Sequence, residues 1–139
     1  MIERLLEFAL NHYVLVSSFF ILWAVFFAME SRNGGLSASP QEATHLVNRE
    51  GGLIVDVRSA DEYREGHIHG SINIPFATIE QNLARLEKQR DKPLILVCKM
   101  GSHAGAVGKQ LRRHGFSQLH RIRGGVQGWK AEGLPVVRG

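Results

Sequence analysis

Cys98 is the one cysteine in the chain, and its neighbours make it a candidate nucleophile. The aliphatic run Leu94-Ile95-Leu96-Val97 precedes it. Lys99-Met100-Gly101-Ser102-His103 follows, leading into a helical pattern from Ala104. A strand, a short glycine-containing loop and a helix start, in that order, place a residue beyond the carboxyl end of a strand, where open α/β sheets bind ligands. Successive backbone N–H groups in such a loop, with a helix N-terminus behind them, form a cradle for an anion. A thiolate is an anion, and helix N-termini and nearby cations favour it over the thiol. Lys99 and His103 are the cations in reach. One reading is therefore covalent catalysis by a thiolate. The other is an inert small hydrophobe at a strand end, since free cysteines are commonly buried.

Spacing removes most competing chemistries. A cysteine phosphatase needs an arginine six positions after its nucleophile for a bidentate grip on phosphate, and that position is Ala104. No metal is expected, because paired thiols and suitable histidine spacing are both absent. His67 and His69 could share one side of an extended segment, but local hydrogen bonding suits them better. Gly108-Lys109-Gln110 lacks the upstream glycine and following Ser or Thr of a phosphate-binding loop. So small a chain leaves little room for the cleft of a Cys–His–Asn protease. No nucleic acid is expected either. Arg112, Arg113, His114, Arg121 and Arg123 cluster without an aromatic stacking platform, so a solvated face or attraction to anionic lipid fits better.

The elements around Cys98 can be read from caps and turns. Ser39-Pro40-Gln41-Glu42 starts a helix with a cap, a proline at the first position and a capping box, and that helix runs to about Arg49 before Gly51-Gly52. Leu53 to Val57 is a buried strand, and Ser59 with Glu62 suggests a second capping box on a short helix ended by Gly66. Ser71 to Ile74 is a brief strand stopped by Pro75. Phe76, Ile79, Leu83 and Leu86 then recur at helical spacing. Leu94 to Val97 is the clearest buried strand. A helix over Ala104 to His114, a strand over Gln118 to Ile122 and a short helix over Gly125 to Glu132 complete the order. Strands alternating with helices predict an α/β, three-layer domain with a central parallel sheet.

The averages conceal two materials. The 139 residues are 44% hydrophobic and 22% charged, which excludes a disordered chain and a multi-domain enzyme. Yet the 22 residues from Phe8 to Met29 carry no Asp, Glu, Lys or Arg, and 18 of them are apolar. As one helix this run would span roughly 33 Å, against a hydrocarbon core of about 30 Å. It is apolar all round, unlike an amphipathic helix packed on a domain. Its flank is not net basic and its length exceeds that of a signal peptide. Residues 1–30 are therefore expected to be a single transmembrane anchor, residues 31–38 a linker, and residues 39–137 the working domain. Arg4 on one side against Arg32 and Arg49 on the other faintly favours a cytoplasmic domain. The net charge of +4 hides a similar asymmetry: from Lys92 onward there are nine Lys or Arg and one acid.

Three segments together resemble the rhodanese family. Ile54-Val55-Asp56-Val57-Arg58, Glu62-Tyr63 and Gly66-His67-Ile68-His69-Gly70-Ser71-Ile72-Asn73-Ile74-Pro75 are similar to its N-terminal signature. Arg123-Gly124-Gly125-Val126-Gln127-Gly128-Trp129 with Gly133-Leu134-Pro135 is similar to its C-terminal one. Between them, Cys98 to His103 matches the six-residue active loop of its sulfurtransferases. The resemblance covers about residues 36–137 and implies a rhodanese-like domain.

It also implies a chemistry. Cys98 would take sulfur from an anionic donor such as thiosulfate as a persulfide and pass it to a thiol or other nucleophile. The loop groups of Lys99, Met100, Gly101, Ser102, His103 and Ala104 would stabilise the persulfide. Family loops often carry arginine where Lys99 and His103 stand here, so the donor meets a point charge and a histidine instead of a guanidinium fork. Asp56, Arg58 and Glu62 read as a supporting polar cluster at a strand end. His67 is expected to fix its turn, and Gly124, Gly125 and Trp129 to serve turn and packing. No cofactor is implied, and with one cysteine the acceptor must come from outside the chain. The expectation is a single-pass sulfurtransferase of the inner (cytoplasmic) membrane, tethered through residues 8–29 with its domain in the cytoplasm. A membrane-protein partner is compatible with it. The alternative is a non-catalytic rhodanese-fold binding or regulatory module tethered there.

Overall fold

The computed structural model describes residues 1–99 and 101–139, with the side chains of residues 31–33 and 102 outside the description. Two units make up the chain, Met1–Arg32 and Asn33–Gly139.

The N-terminal part is helical: α1 (Ile2–Asn11) and α2 (Tyr13–Asn33). The charge-free run from Phe8 to Met29 is not one helix, because His12 adopts φ −123° and ψ 39° and separates the two. What remains long and apolar is Tyr13–Glu30, 18 residues with a mean hydropathy of 1.9. Phe19, Phe20, Trp23 and Phe26 on it are all exposed. By length and composition α2 is a candidate membrane span.

Among the described residues the second unit has seven strands. These are β1 (Leu36–Ala38), β2 (Leu53–Asp56), β3 (His67–Ile68), β4 (Ile72–Asn73), β5 (Leu94–Val97), β6 (Leu119–Ile122) and β7 (Val136–Val137). Five of them form a parallel sheet in the order β1-β6-β5-β2-β4, while β3 and β7 pair antiparallel as a separate ribbon. Four further helices are α3 (Pro40–Glu50), α4 (Ala60–Glu65), α5 (Ser102–Arg113) and α6 (Gly125–Ala131). Strand β5 is central because it is apolar on both sides. Leu94 and Leu96 face a layer holding Val107 and Leu111 of α5 with Ile79 and Leu86. Ile95 and Val97 face Ala43 of α3 and Val126 and Trp129 of α6. The α/β order expected from the sequence is present, with a core on each face of the sheet.

The start of α3 follows its sequence signals closely. Ser39 accepts from the Glu42 N–H, Glu42 reaches back to the Ser39 N–H at 2.7 Å, and Gly51 ends the helix in the left-handed region at φ 69°. Three expectations change. The segment 31–38 is not a free linker: α2 runs to Asn33, Gly34 and Gly35 are buried, and β1 pairs with β6 from Leu36↔His120 to Ala38↔Ile122. A three-residue strand has too little pattern to be read, and the burial of Gly34 comes from a backbone contact with α5. A Cβ on Gly108 would lie 2.1 Å from the Gly34 carbonyl oxygen. The capping box at Ser59 is half made, since Glu62 turns its carboxylate to the Ser59 hydroxyl at 3.2 Å. Gly66 ends α4 as expected, in extended backbone at φ 168°. Finally, residues 76–78 and 80–89 wind as 3₁₀-helix. Part of the cause is Asn82, whose side-chain amide donates to the Thr78 carbonyl at 2.7 Å while its backbone N–H bonds Ile79.

Candidate active site

Strand β5 carries Cys98 to the end of the sheet, on the same face as Leu94 and Leu96. The residue is 2% exposed, and Cys98 and Ala104 both belong to the core layer beneath α5. Between them the chain doubles back, so that the Gly101 N–H donates to Cys98 Sγ at 2.7 Å. Gly101 has φ 98°, and nothing stands within 4 Å of where its Cβ would be. Its glycine is therefore required by conformation, not by space. The left-handed turn at Gly101 immediately starts α5 at Ser102, two residues before the expected Ala104. The sulfur thus sits at a helix start with a backbone donor aimed at it.

Two cavities open beside this loop. One, of about 440 Å³, is bounded by Cys98, Lys99 and His103, with Val57, Pro75 and Phe76 as its apolar wall. His103 is exposed and stacks flat on Phe76. The other, of about 650 Å³, is polar, with Lys99, Lys130 and Arg138 set against Glu62 and Glu65. Arg58, Glu62 and Lys99 border both. Lys99 borders both cavities, while Cys98 borders the smaller one.

The supporting cluster is built around Asp56, which is fully buried at the end of β2. Its carboxylate accepts from the Arg58 N–H and Nε at 3.0 Å and from Arg58 Nη2 at 2.7 Å, and Nη2 also donates to the Gly66 carbonyl. Asn73 donates to the carbonyls of Asp56 and Arg58. The guanidinium therefore closes the turn between β2 and α4 while bordering both cavities. His67 holds its own turn, with Nδ1–H donating to the Tyr63 carbonyl at 2.8 Å and its ring stacked on Tyr63. Among the described residues no group of three His, Cys, Asp or Glu stands ready for a metal.

Of the candidate residues, Cys98, Lys99 and His103 share one cavity and Gly101 contacts the sulfur. Ala104 points into the core. Met100 lies outside the described residues, as does the Ser102 side chain. Asp56 and Arg58 stand beside the cavities as an ion pair. Sequence reasoning missed Phe76, whose helical spacing suggested a core position but which is 49% exposed beside His103. It also missed the contact of α6 with the loop, where the Val126 and Gln127 N–H groups bond the carbonyls of Cys98 and Lys99. Gly124-Gly125 was the available signal, since adjacent glycines mark close backbone approach.

Residues 39–132 match the family model of the rhodanese-like domain. The chain belongs to the rhodanese family. Among rhodanese-related solved structures, one from Thermoplasma volcanium superposes with a TM-score of 0.66 at 30% identity, covering 75% of this chain and 99% of that one. YibN of Escherichia coli, itself uncharacterized, is 43% identical over 99 residues, 70% of this chain and 69% of YibN. The thiosulfate sulfurtransferase GlpE of Pseudomonas savastanoi pv. phaseolicola is 30% identical over 92 residues, 66% of this chain and 85% of GlpE. The rhodanese match spans Cys98, its loop, the N-terminal motif and the C-terminal motif as far as Trp129.

Proposed function

We propose that this rhodanese domain is a sulfurtransferase, working through a persulfide on Cys98 and tethered to a membrane by α2. The observation that carries the reading is the Gly101 N–H on Cys98 Sγ, at the edge of a cavity lined by Lys99 and His103. The likeness to GlpE, a thiosulfate sulfurtransferase, supports the same chemistry.

The steps balance without a cofactor. Cys98 thiolate attacks the outer sulfur of thiosulfate, the S–S bond breaks, and sulfite leaves with the electron pair. The product is a cysteine persulfide whose terminal sulfur bears the negative charge. Backbone N–H groups around the loop stabilise that charge, and Lys99 and His103 attract the anionic donor. An acceptor nucleophile then takes the terminal sulfur and restores the thiolate. Cyanide gives thiocyanate in an assay, whereas a thiol gives its own persulfide. The single cysteine leaves no internal thiol to resolve the intermediate, so the acceptor is a second molecule.

The experiment is direct. Purified chain treated with thiosulfate should gain the mass of one sulfur atom, cyanide should remove it, and Cys98→Ser should gain nothing. Wild type that stays unmodified, or a serine variant that gains as much, would replace this reading with that of a non-catalytic module.

A further inference from the structure

We propose that Gly125 and the first turn of α6 hold the Cys98 loop in its sulfur-binding shape, which makes Gly125 a positioning residue for sulfur transfer. The inference deepens the sulfurtransferase reading and rests on it for its kinetic part. Helix α6 touches the loop backbone to backbone. The Val126 N–H donates to the Cys98 carbonyl at 2.8 Å, and the Gln127 N–H donates to the Lys99 carbonyl at 3.2 Å. The first N–H groups of a helix have no partner within it, and here two of them take the carbonyls on either side of the loop's first bend.

Gly125 is what permits the approach. It is buried with φ 61°, and a Cβ there would lie 2.2 Å from the Cys98 carbonyl oxygen and 2.8 Å from the Lys99 carbonyl. Those neighbours are backbone atoms and cannot swing aside as a side chain would. Gly124 and Gly128 serve a different contact. Their Cβ atoms would meet Gly128 Cα at 3.1 Å and the Arg123 carbonyl oxygen at 2.3 Å, both within the start of α6 itself.

The consequence for the sulfur follows from peptide geometry. A peptide is planar and trans, so turning the Cys98 carbonyl toward α6 turns the Lys99 N–H the opposite way. With the Lys99 carbonyl held as well, the direction of the chain leaving Lys99 is set. The Gly101 N–H that donates to Cys98 Sγ belongs to this same loop, three residues on from the cysteine. Displacing α6 by the width of a methyl group would release both carbonyls and misalign the donor.

The test uses the full-length chain in detergent, with three measurements on each variant: kcat and KM for thiosulfate, the pH dependence of Cys98 alkylation by iodoacetamide, and the thermal midpoint. Gly125→Ala inserts the methyl. Gln127→Pro removes one N–H in the first turn of α6, where a helix tolerates proline, and is compared with Gln127→Ala, which keeps the N–H. We expect Gly125→Ala, relative to wild type, and Gln127→Pro, relative to Gln127→Ala, to lose about tenfold in kcat with KM changed less than about twofold. The alkylation midpoint should rise by about one pH unit, as for a weakened hydrogen bond to a thiolate. A loop that merely opened would raise the alkylation plateau and leave the midpoint in place. Lower thermal midpoints with unchanged kcat and unchanged alkylation midpoints would overturn the proposal, leaving α6 as packing alone. Should Gly125→Ala not fold, Gln127→Pro decides. Should wild type transfer no sulfur, the proposed function fails, while the alkylation midpoints, which need no turnover, still judge the clamp.

Discussion

The rings of Phe76 and His103 stack face to face, with centroids 4.4 Å apart and planes 6° from parallel. Phe76 begins the 3₁₀ turn after Pro75, and His103 is the second residue of α5. The pair joins two segments that line the cavity Cys98 borders. A histidine held flat on an aromatic face is restrained in position, and its cationic form gains about 0.5–1 kcal/mol there. Phe76→Ala should raise KM for thiosulfate about two- to fivefold with little change in kcat, and Phe76→Tyr should restore it. Steady-state kinetics on the two variants checks this; equal KM values would separate the stack from donor binding.

The Asp56–Arg58 pair is buried, with side chains 0% and 8% exposed and a shortest separation of 2.7 Å. Removing one member strands the other's charge, at a cost of about 3–5 kcal/mol. Asp56→Ala should be strongly destabilised in equilibrium unfolding. The double variant Asp56→Leu with Arg58→Met should recover a large part of the loss, since no charge is left unpaired. A double variant as unstable as the single one would mean that the pair's hydrogen bonds to the α4 turn, not its charges, hold this corner.

Gly108 of α5 faces Gly34 so closely that a Cβ would lie 2.1 Å from its carbonyl oxygen. Overpacking of this kind costs about 1–3 kcal/mol. Gly108→Ala should lower the thermal midpoint by at least about 4 °C. A midpoint within 1 °C or so of wild type would show that α5 and the Gly34 segment separate easily.

His120 on β6 has its pKa lowered below the ordinary 6.5 by burial, with Glu50 and Glu42 pulling it weakly upward. The unfolded chain therefore binds this proton more readily than the folded one. Stability is fully present above about pH 6.5 and falls as pH drops through the folded value. Thermal midpoints measured from pH 7.5 to 5 should decline, and His120→Gln should decline less. Parallel curves for the two proteins would assign the acid sensitivity to other groups.

Membrane orientation is testable with Cys98 removed. In a Cys98→Ser background, Asp61→Cys places a thiol on the exposed surface of α4. A membrane-impermeant thiol reagent should miss it in intact cells and reach it after lysis. Labelling of intact cells would put the domain outside the cytoplasm, and recovery of the chain in the soluble fraction would remove the anchor altogether.

Local signals were strong wherever one short stretch carried the whole physical cause. The Ser39-Pro40-Glu42 start of α3 needs nothing outside its own turn. Four aliphatic residues in a row at Leu94–Val97 sufficed for a strand buried on both faces. Other features depended on residues far apart in the chain. Strand β1 exists because β6 offers its edge, some 80 residues later. The burial of Gly34 depends on the lack of a side chain at Gly108 and at Gly34 itself, whose Cβ would lie 2.8 Å from the Gly105 carbonyl oxygen. At Phe76, helical spacing suggested the core, yet the aromatic ring lies open beside His103.

The region around Cys98 divides the same way. Residue types and spacing alone determined that Cys98 would end a central strand and be followed by a glycine turn and a helix, because each of those is a local preference. The rhodanese resemblance likewise followed from motifs in the chain itself. Only the tertiary structure decided what faces the sulfur and what holds the loop. Gly101 donates to Sγ, Phe76 braces His103, and α6 reaches across from beyond β6 to take the carbonyls of Cys98 and Lys99. These contacts are meetings between elements brought together by sheet order and crossing helices, and no periodicity within either element encodes its partner.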